Sequence, residues 1–253
     1  MVRAIVRKPS AALGRCELTY LARQRIDLAR AEVQHGAYVD ALRRHGIDVV
    51  ILPPEPDLAD AVFVEDTAVV VDECAVLTRP GAESRRPEVS TVAAALEPFR
   101  PLVPLLPPAT LDGGDVLQVG RTFFVGRTAR TNDEGIRQLT GALSPHGYEV
   151  RTVIPDGCLH LKSAVTSIGR ETVLVNPGWI DVGLFSRWQC IPVAGEEPYG
   201  ANALVTGDVV HLAASAPLTR RKLDALGFTT ASLDTSEFEK AEAALTCLSL
   251  IFA

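Results

Sequence analysis

The feature of this sequence that most restricts its fold is a repeated unit, in which two short apolar runs are separated by a turn. Four such turns, near residues 72, 120, 169 and 207, are spaced by 48, 49 and 38 residues. The runs are rich in β-branched residues and the turns carry Gly or Asp, a combination typical of β-hairpins. A period of this length predicts supersecondary units arranged around a common axis.

Each predicted hairpin belongs to a longer unit. The hairpins pair residues 67–71 with 74–77, 116–119 with 122–125, 164–168 with 172–175, and 203–205 with 209–212. Helices are predicted at 87–96, 132–146 and 217–226, with a weaker candidate at 179–185, and further strands at 101–105, 149–154, 189–193 and 228–233. Every predicted unit therefore consists of a hairpin, then a helix, and then a further strand.

The two ends of the chain complete the pattern. An apolar strand at 247–252 has no partner after it, and a strand at 2–6 has none before it. A helix at 26–44 and a strand at 49–52 follow the first strand. We therefore predict one α/β domain over residues 1–253, a closed ring of five units sealed by pairing the first and last strands. The alternative is an open α/β sandwich without symmetry.

Composition limits the class of partner. The formal net charge is −6, which does not favour binding to nucleic acid phosphates. Five cysteines, an odd number with no C-x-x-C pair, indicate neither a disulfide framework nor a zinc ribbon and suit a reducing compartment. No apolar run has the length of a signal peptide or a membrane span. We expect a cytoplasmic protein that does not bind membranes, either a monomer or a homodimer.

Reactive residues recur where the first strand of each unit begins. In chain order they are Glu65 and Asp66, Asp112 and Asp115, His160, Asn202, and Cys247. In a ring of related units, equivalent positions face a common axis. Each residue also has an ordinary structural interpretation, since buried free cysteines usually act as small hydrophobes and Asp-Gly sequences often form turns. The shared position in the repeat favours a functional centre.

The converging groups suit one kind of chemistry. A Cys–His pair is the usual machinery of covalent attack on a trigonal carbon. Neighbouring carboxylates would oppose formation of the thiolate, so they make more sense as ligands of a permanent cation. A guanidinium is planar, always charged, and pairs its N–H donors with carboxylates. The sequence therefore predicts Cys247 and His160 acting on a guanidinium compound.

Several motifs also resemble a known family, the dimethylarginine dimethylaminohydrolases, over essentially the whole chain. The motifs are Phe63-Val64-Glu65-Asp66-Thr67, Thr78-Arg79-Pro80-Gly81-Ala82-Glu83-Ser84-Arg85-Arg86, Leu111-Asp112-Gly113-Gly114-Asp115-Val116, Ala129-Arg130-Thr131-Asn132, His160-Leu161-Lys162-Ser163 and Leu245-Thr246-Cys247-Leu248-Ser249. The resemblance implies a five-bladed α/β propeller, the pentein fold. It also implies hydrolysis of asymmetric dimethylarginine or monomethylarginine to citrulline and an amine, through a covalent S-alkylthiouronium intermediate and without metal or cofactor.

The resemblance implies residue roles as well. Cys247 matches the nucleophile, His160 the acid and base, and Asp112 a carboxylate that binds the guanidinium and positions the histidine. The remaining matches are Asp66 as the second guanidinium ligand, Arg85 and Arg130 near the substrate α-carboxylate, Asp60 and Glu65 as further pocket residues, and Leu18 in a lid loop, residues 13–22.

One segment departs from the family pattern. Family members commonly carry Asp-Gly before the cysteine motif, whereas this chain has Lys240-Ala241-Glu242-Ala243-Ala244-Leu245. Ala241 falls where a backbone carbonyl would meet the α-amino group, and loss of glycine restricts the backbone there. Alternatives are an arginine deiminase, an amidinotransferase-like enzyme, or a non-catalytic binder of arginine-like cations. A zinc hydrolase is disfavoured because no H-x-x-x-H or C-x-x-C spacing occurs.

Overall fold

The structure, a computed structural model, describes residues 1–253 and contains fifteen strands and six helices. The strands are β1 (Arg3–Arg7), β2 (Asp48–Leu52), β3 (Ala68–Val70), β4 (Ala75–Leu77), β5 (Leu102–Pro104), β6 (Val116–Val119), β7 (Thr122–Gly126), β8 (Glu149–Val153), β9 (Val165–Ser167), β10 (Thr172–Val175), β11 (Gln189–Pro192), β12 (Leu204–Thr206), β13 (Val209–Ala213), β14 (Thr229–Leu233) and β15 (Leu250–Phe252). The helices are α1 (Leu28–Arg44), α2 (Glu88–Leu96), α3 (Asp133–Leu143), α4 (Leu161–Ala164), α5 (Pro217–Ala225) and α6 (Ser236–Glu239).

All five sheets share one strand arrangement. The sheets are β15-β1-β2, β3-β4-β5, β6-β7-β8, β9-β10-β11 and β12-β13-β14. In each sheet the middle strand pairs antiparallel with the first strand and parallel with the third. The repeated unit predicted from the sequence is therefore confirmed, and the fold is a five-bladed α/β propeller.

The ring closes through the two ends of the chain. β1 pairs antiparallel with β15, with Ala4 opposite Ile251, so the first blade is built from both termini as predicted. The first strands of the five blades surround one axial cavity, to which each contributes side chains. Examples are Val69, Leu117, Thr166, Val205 and Ile251, one from each blade. Because the ring is closed, the five turns that precede the first strands all lie near the same end of its axis.

Two local predictions are wrong. Cys247 does not lie in a strand, because Thr246–Leu248 forms a single 3₁₀ turn and β15 begins only at Leu250. A buried 3₁₀ turn and a buried strand show the same short apolar run, so periodicity cannot separate them. The weak helix expected at 179–185 is only a 3₁₀ turn, Val182–Phe185, because Asp181 accepts the N–H of Gly183 and starts the turn late.

Local sequence determines where the first helix begins and which of its faces is buried. α1 begins at Leu28 because the Asp27 side chain accepts the Arg30 N–H as an N-cap. Its buried face, including Ala31, Tyr38 and Leu42, packs in the largest cluster of the core, which also touches Cys247. None of the six helices is both long and apolar enough to traverse a bilayer.

Candidate active site

A circle of hydrogen bonds joins the short turns that precede the five first strands. The turns are Val64–Thr67, Gly113–Asp115, Leu161–Ala164, Pro198–Ala201 and Thr246–Leu248. Thr246 Oγ1 donates to Glu65 Oε2 at 2.9 Å, Gly114 N donates to Asp66 Oδ1 at 2.8 Å, and Leu161 N donates to Asp115 Oδ1 at 3.0 Å. Asn202 Nδ2 completes the circle by donating to Lys162 O and to Thr246 Oγ1. Residues distant in sequence are thereby held rigidly together.

His160 is oriented by a buried carboxylate. The residue immediately precedes α4, and its Nε2 lies 3.0 Å from Asp112 Oδ2, with Asp112 fully buried. The other carboxylate oxygen, Asp112 Oδ1, accepts the backbone N–H of Gly81 at 2.8 Å. The guanidinium of Arg130 approaches Asp112 Oδ2 at 3.5 Å. Asp112 is thus fixed on both oxygens and directs the imidazole ring.

The two glycines after Asp112 are required by close packing. A Cβ on Gly113 would lie 2.0 Å from the carbonyl oxygen of Glu65. A Cβ on Gly114 would lie 2.6 Å from His160 Nδ1 and 2.9 Å from Asp66 Oδ1. The Asp-Gly-Gly-Asp motif is therefore more than a turn, since only glycine lets this backbone approach the histidine and the first carboxylate.

Asp66 is paired with a buried arginine. Arg85 NH1 donates to Asp66 Oδ2 at 2.6 Å, and the rest of that guanidinium donates to Glu88 and to the carbonyls of Asp60 and Phe63. Burial acts to raise the pKa of Asp66, but protonated His160 and Arg85 outweigh it, so the pKa lies well below its usual range. Asp66 is consequently an anion beside the histidine.

The charges around His160 determine its protonation. Burial alone would lower the pKa of His160, but Asp66, the hydrogen bond to Asp112, and Asp115 together raise it to about 9. The imidazole is therefore protonated at neutral pH and can act as an acid. Burial also raises the pKa of Asp115 to about 6, although the hydroxyls of Thr128 and Thr131 donate to it.

Cys247 faces the same group of charges. Its Sγ accepts the Ala244 N–H at 3.5 Å. Burial, followed by the negative charges of Glu65 and Asp66, raises the pKa of the Cys247 thiol far above its ordinary value. A cation placed beside these carboxylates would counter that effect and favour the thiolate.

Glu65 lies between the catalytic turns and the axial cavity. Its carboxylate accepts hydrogen bonds from Lys162 Nζ at 2.5 Å and from the Thr246 hydroxyl, and its side chain also lines the axial cavity. Burial raises the pKa of Glu65, and Lys162 opposes that change. Glu65 is not part of the lining of the small cavity beside Cys247, so its contribution to that cavity is electrostatic.

One small cavity of about 20 Å³ brings most of the predicted residues together, and it is far smaller than the roughly 300–1,000 Å³ of typical ligand sites. Its lining consists of Glu17, Asp60, Phe63, Asp66, Arg85, Arg130, Leu159, His160, Ala241, Glu242, Ala243 and Cys247. The cysteine and the histidine thus share one cavity, as the prediction required. Asp112 lies behind His160 rather than in the lining, and Leu18 packs against the core beside it.

Sequence reasoning missed part of this site. Glu88, the buried partner of Arg85, gave no motif signal, although burial raises its pKa to about 7. Glu17 and Glu242 also line the cavity and were not predicted. Glu242 lies in the segment that departs from the family pattern, which was the one available signal.

Three of these groups lie close enough to share a metal ion. Ligand atoms of Asp66, Asp112 and His160 all lie within 4.8 Å of one another. However, Asp66 already binds Arg85 and Gly114 N, while Asp112 and His160 bind each other. Each of the three groups therefore already has at least one partner within the protein.

Comparisons with known proteins agree with the geometry of the site. A model of the family described as "N,N dimethylarginine dimethylhydrolase, eukaryotic" matches residues 19–183. The N(G),N(G)-dimethylarginine dimethylaminohydrolase of Streptomyces coelicolor is 42% identical over 250 residues, covering 98% of this chain and 96% of that protein.

Solved structures agree with the sequence comparison. A cysteine-to-serine variant of the Pseudomonas aeruginosa enzyme DDAH, complexed with citrulline, superposes with a TM-score of 0.93 at 34% identity, covering 99% of this chain and 98% of that one. A histidine-to-glycine variant of dimethylarginine dimethylaminohydrolase, an adduct with S-methyl-L-thiocitrulline, gives 0.95 at 34% identity over the full length of both chains.

Proposed function

Since this chain belongs to the dimethylarginine dimethylaminohydrolase family, we propose that it hydrolyses asymmetric dimethyl-L-arginine and monomethyl-L-arginine. The products are L-citrulline and dimethylamine or methylamine. The observation that carries the proposal is the single cavity lined by Cys247, His160 and Asp66, with Asp112 holding the histidine from behind. The protein is a hydrolase of linear amidines.

The substrate cation activates the nucleophile. Its guanidinium binds beside Asp66, which is ionised, and its positive charge counters the carboxylates that raise the pKa of Cys247. The thiol then releases its proton to solvent, and the thiolate attacks the guanidinium carbon. Because the Asp66 carboxylate is already oriented by Arg85 and Gly114 N, the binding geometry is formed in advance.

His160 acts first as acid and then as base. Its Nε2 is engaged with Asp112, so Nδ1, beside Gly114, is the nitrogen that exchanges protons with the substrate. The imidazolium protonates the departing amine, the carbon–nitrogen bond breaks, and an S-alkylthiouronium remains on Cys247. The neutral imidazole then takes a proton from water, which attacks the same carbon and releases citrulline and the thiol.

The amino acid end of the substrate meets other residues. Arg130 and Arg85 lie on the lining, and we assign both to the α-carboxylate end. Arg85 uses nearly all of its five donors on Asp66, Glu88 and two carbonyls, so Arg130 makes the larger contribution. Asp60 and the backbone of Ala241 serve the α-amino group.

Product analysis tests the proposal. Incubation with asymmetric dimethylarginine should yield citrulline and dimethylamine in equal amounts, with much slower turnover of arginine. Cys247→Ser and His160→Ala should each lower kcat by at least about a thousandfold. Cys74→Ser, a change of a buried cysteine in another core cluster, is the matched control and should keep its activity. Ammonia release from arginine at a comparable rate would instead identify a deiminase.

We also propose where the protein is located and how its chain is organised. Five free thiols suit a reducing compartment, so we assign the protein to the cytoplasm. Residues 1–253 are assigned to one catalytic domain, acting as a monomer or a homodimer on a small-molecule substrate.

A further inference from the structure

The segment Glu17–Ile26 lies beside the catalytic cavity and has no helix or strand. Glu17 forms part of the cavity lining, and Leu21 lines a larger neighbouring pocket of about 450 Å³. No backbone–backbone hydrogen bond attaches residues 17–26 to the rest of the protein. A segment held this way has a low free energy of local opening.

Side chains hold this segment instead: Lys240 Nζ donates to Arg25 O, the guanidinium of Arg23 donates to Gly14 O and Cys16 O, and carboxylates accept the backbone amides. Glu242 Oε1 accepts three consecutive amides, from Thr19 at 3.0 Å and from Tyr20 and Leu21 at 2.5 Å, while Oε2 accepts Thr19 N at 2.9 Å. Asp60 accepts the Glu17 N–H with both oxygens, at 3.3 and 3.1 Å. Glu242 therefore provides most of the backbone anchoring, through charge-assisted bonds.

The backbone of Glu242 supports the same role. Its φ is +56°, a left-handed conformation that costs a residue with a side chain about 1 kcal/mol, yet the position is not glycine. The residue lies five positions before Cys247 and lines both the catalytic cavity and the larger pocket. Its carboxylate therefore stands on the wall between the two spaces.

We propose that Glu242 is a positioning residue that latches the segment 17–21 over the catalytic cavity and so retains the substrate. The proposal rests on the proposed function for its substrate, but the latch itself does not. When the three amides leave the carboxylate, the cavity opens towards the larger pocket and the substrate can exchange. When they bind, the segment is closed and the cavity is shielded from water.

Hydrogen exchange tests the latch without using catalysis. In Glu242→Gly the carboxylate is lost and the left-handed backbone conformation is kept without strain, so a faster exchange is not caused by strain that the substitution introduces. Amide exchange at Thr19, Tyr20 and Leu21 should become at least about tenfold faster. Glu196→Gln, a change of another carboxylate of the larger pocket that does not bind the segment, is the matched control and should leave exchange unaltered. Unchanged exchange in Glu242→Gly would overturn the latch.

Steady-state kinetics with dimethylarginine test what the latch does. Glu242→Gly should raise KM about tenfold or more and change kcat by less than about threefold, and Glu242→Asp should restore part of the lost affinity. Faster exchange with an unchanged KM, or a fall confined to kcat, would overturn the positioning role. If the wild-type protein released no citrulline, the proposed function would fail, while the exchange data would still decide the latch.

Discussion

Replacing His160 with glutamine should change how the stability of the protein depends on pH. The pKa of His160 is raised from 6.5 to about 9 in the folded protein, because Asp66, Asp112 and Asp115 surround it. At about 1.4 kcal/mol for each pH unit, this difference corresponds to about 3 kcal/mol of folding free energy. His160 is 6% exposed, so solvent screens these interactions only weakly.

The sign follows from which state binds the proton more tightly. The folded state holds the proton up to about pH 9, whereas the unfolded chain releases it near pH 6.5. The stabilisation is therefore complete below pH 6.5 and is lost as the pH rises through 9. The difference in unfolding free energy between wild type and His160→Gln should shrink by about 3 kcal/mol between pH 6 and pH 10.

Urea unfolding followed by circular dichroism at half-unit pH steps measures this difference. Groups distant from His160 cancel in the comparison, whereas Asp66 and Asp115, where the charge of His160 opposes the rise in pKa that burial causes, contribute to the same difference. The control is His35→Gln, since burial lowers the pKa of His35 to about 4 and its own difference curve should be flat above pH 6.5 and change only in acid. A wild-type-minus-His160→Gln difference that does not vary with pH would refute the reasoning, as would a folded imidazole titrating near pH 6.5.

Three further results are expected. Gly114→Ala should lower kcat at least about a hundredfold in a citrulline assay, because its Cβ meets His160, whereas Gly36→Ala, in open space on α1, should raise unfolding free energy by about 0.5–1 kcal/mol. Asp115→Asn should lower that free energy by about 1–3 kcal/mol in urea titrations, since the amide group provides fewer acceptors; no loss would contradict the hydrogen-bond assignment. Glu65→Gln should lower the pKa of the Cys247 thiol and speed its alkylation by iodoacetamide at pH 8, with Cys247→Ser identifying the labelled site; slower alkylation would disprove the charge argument.

Much of the site was predictable because the repeat fixes which positions are equivalent. Glu65, Asp66, Asp112, His160 and Cys247 begin corresponding units, and ring closure brings equivalent positions to one axis. The turn conformation at Cys247 was not predictable, because a buried 3₁₀ turn and a strand share the same short apolar pattern. Local pattern reports burial more clearly than it reports the backbone conformation of three residues.

Contacts between side chains that are distant in the sequence could not be predicted from the sequence. The contact of Glu242 with Tyr20 spans 222 positions, and nothing in either local sequence indicates it. The use of Arg85 to hold Asp66 and Glu88 similarly depends on where the three side chains meet in space. Such contacts also determine which pKa values move and in which direction.

By itself, the sequence determined a closed ring of five related units and the identity of the chemical groups at its centre. Period, β-branched runs and turn residues are local properties, and they are sufficient to specify the blade. Only the tertiary structure decided that His160 is protonated, that Glu65 lies outside the lining of the catalytic cavity, and that Glu242 holds the neighbouring segment. The physical reason is that burial and Coulomb interactions depend on distances in space, which no spacing along the chain records.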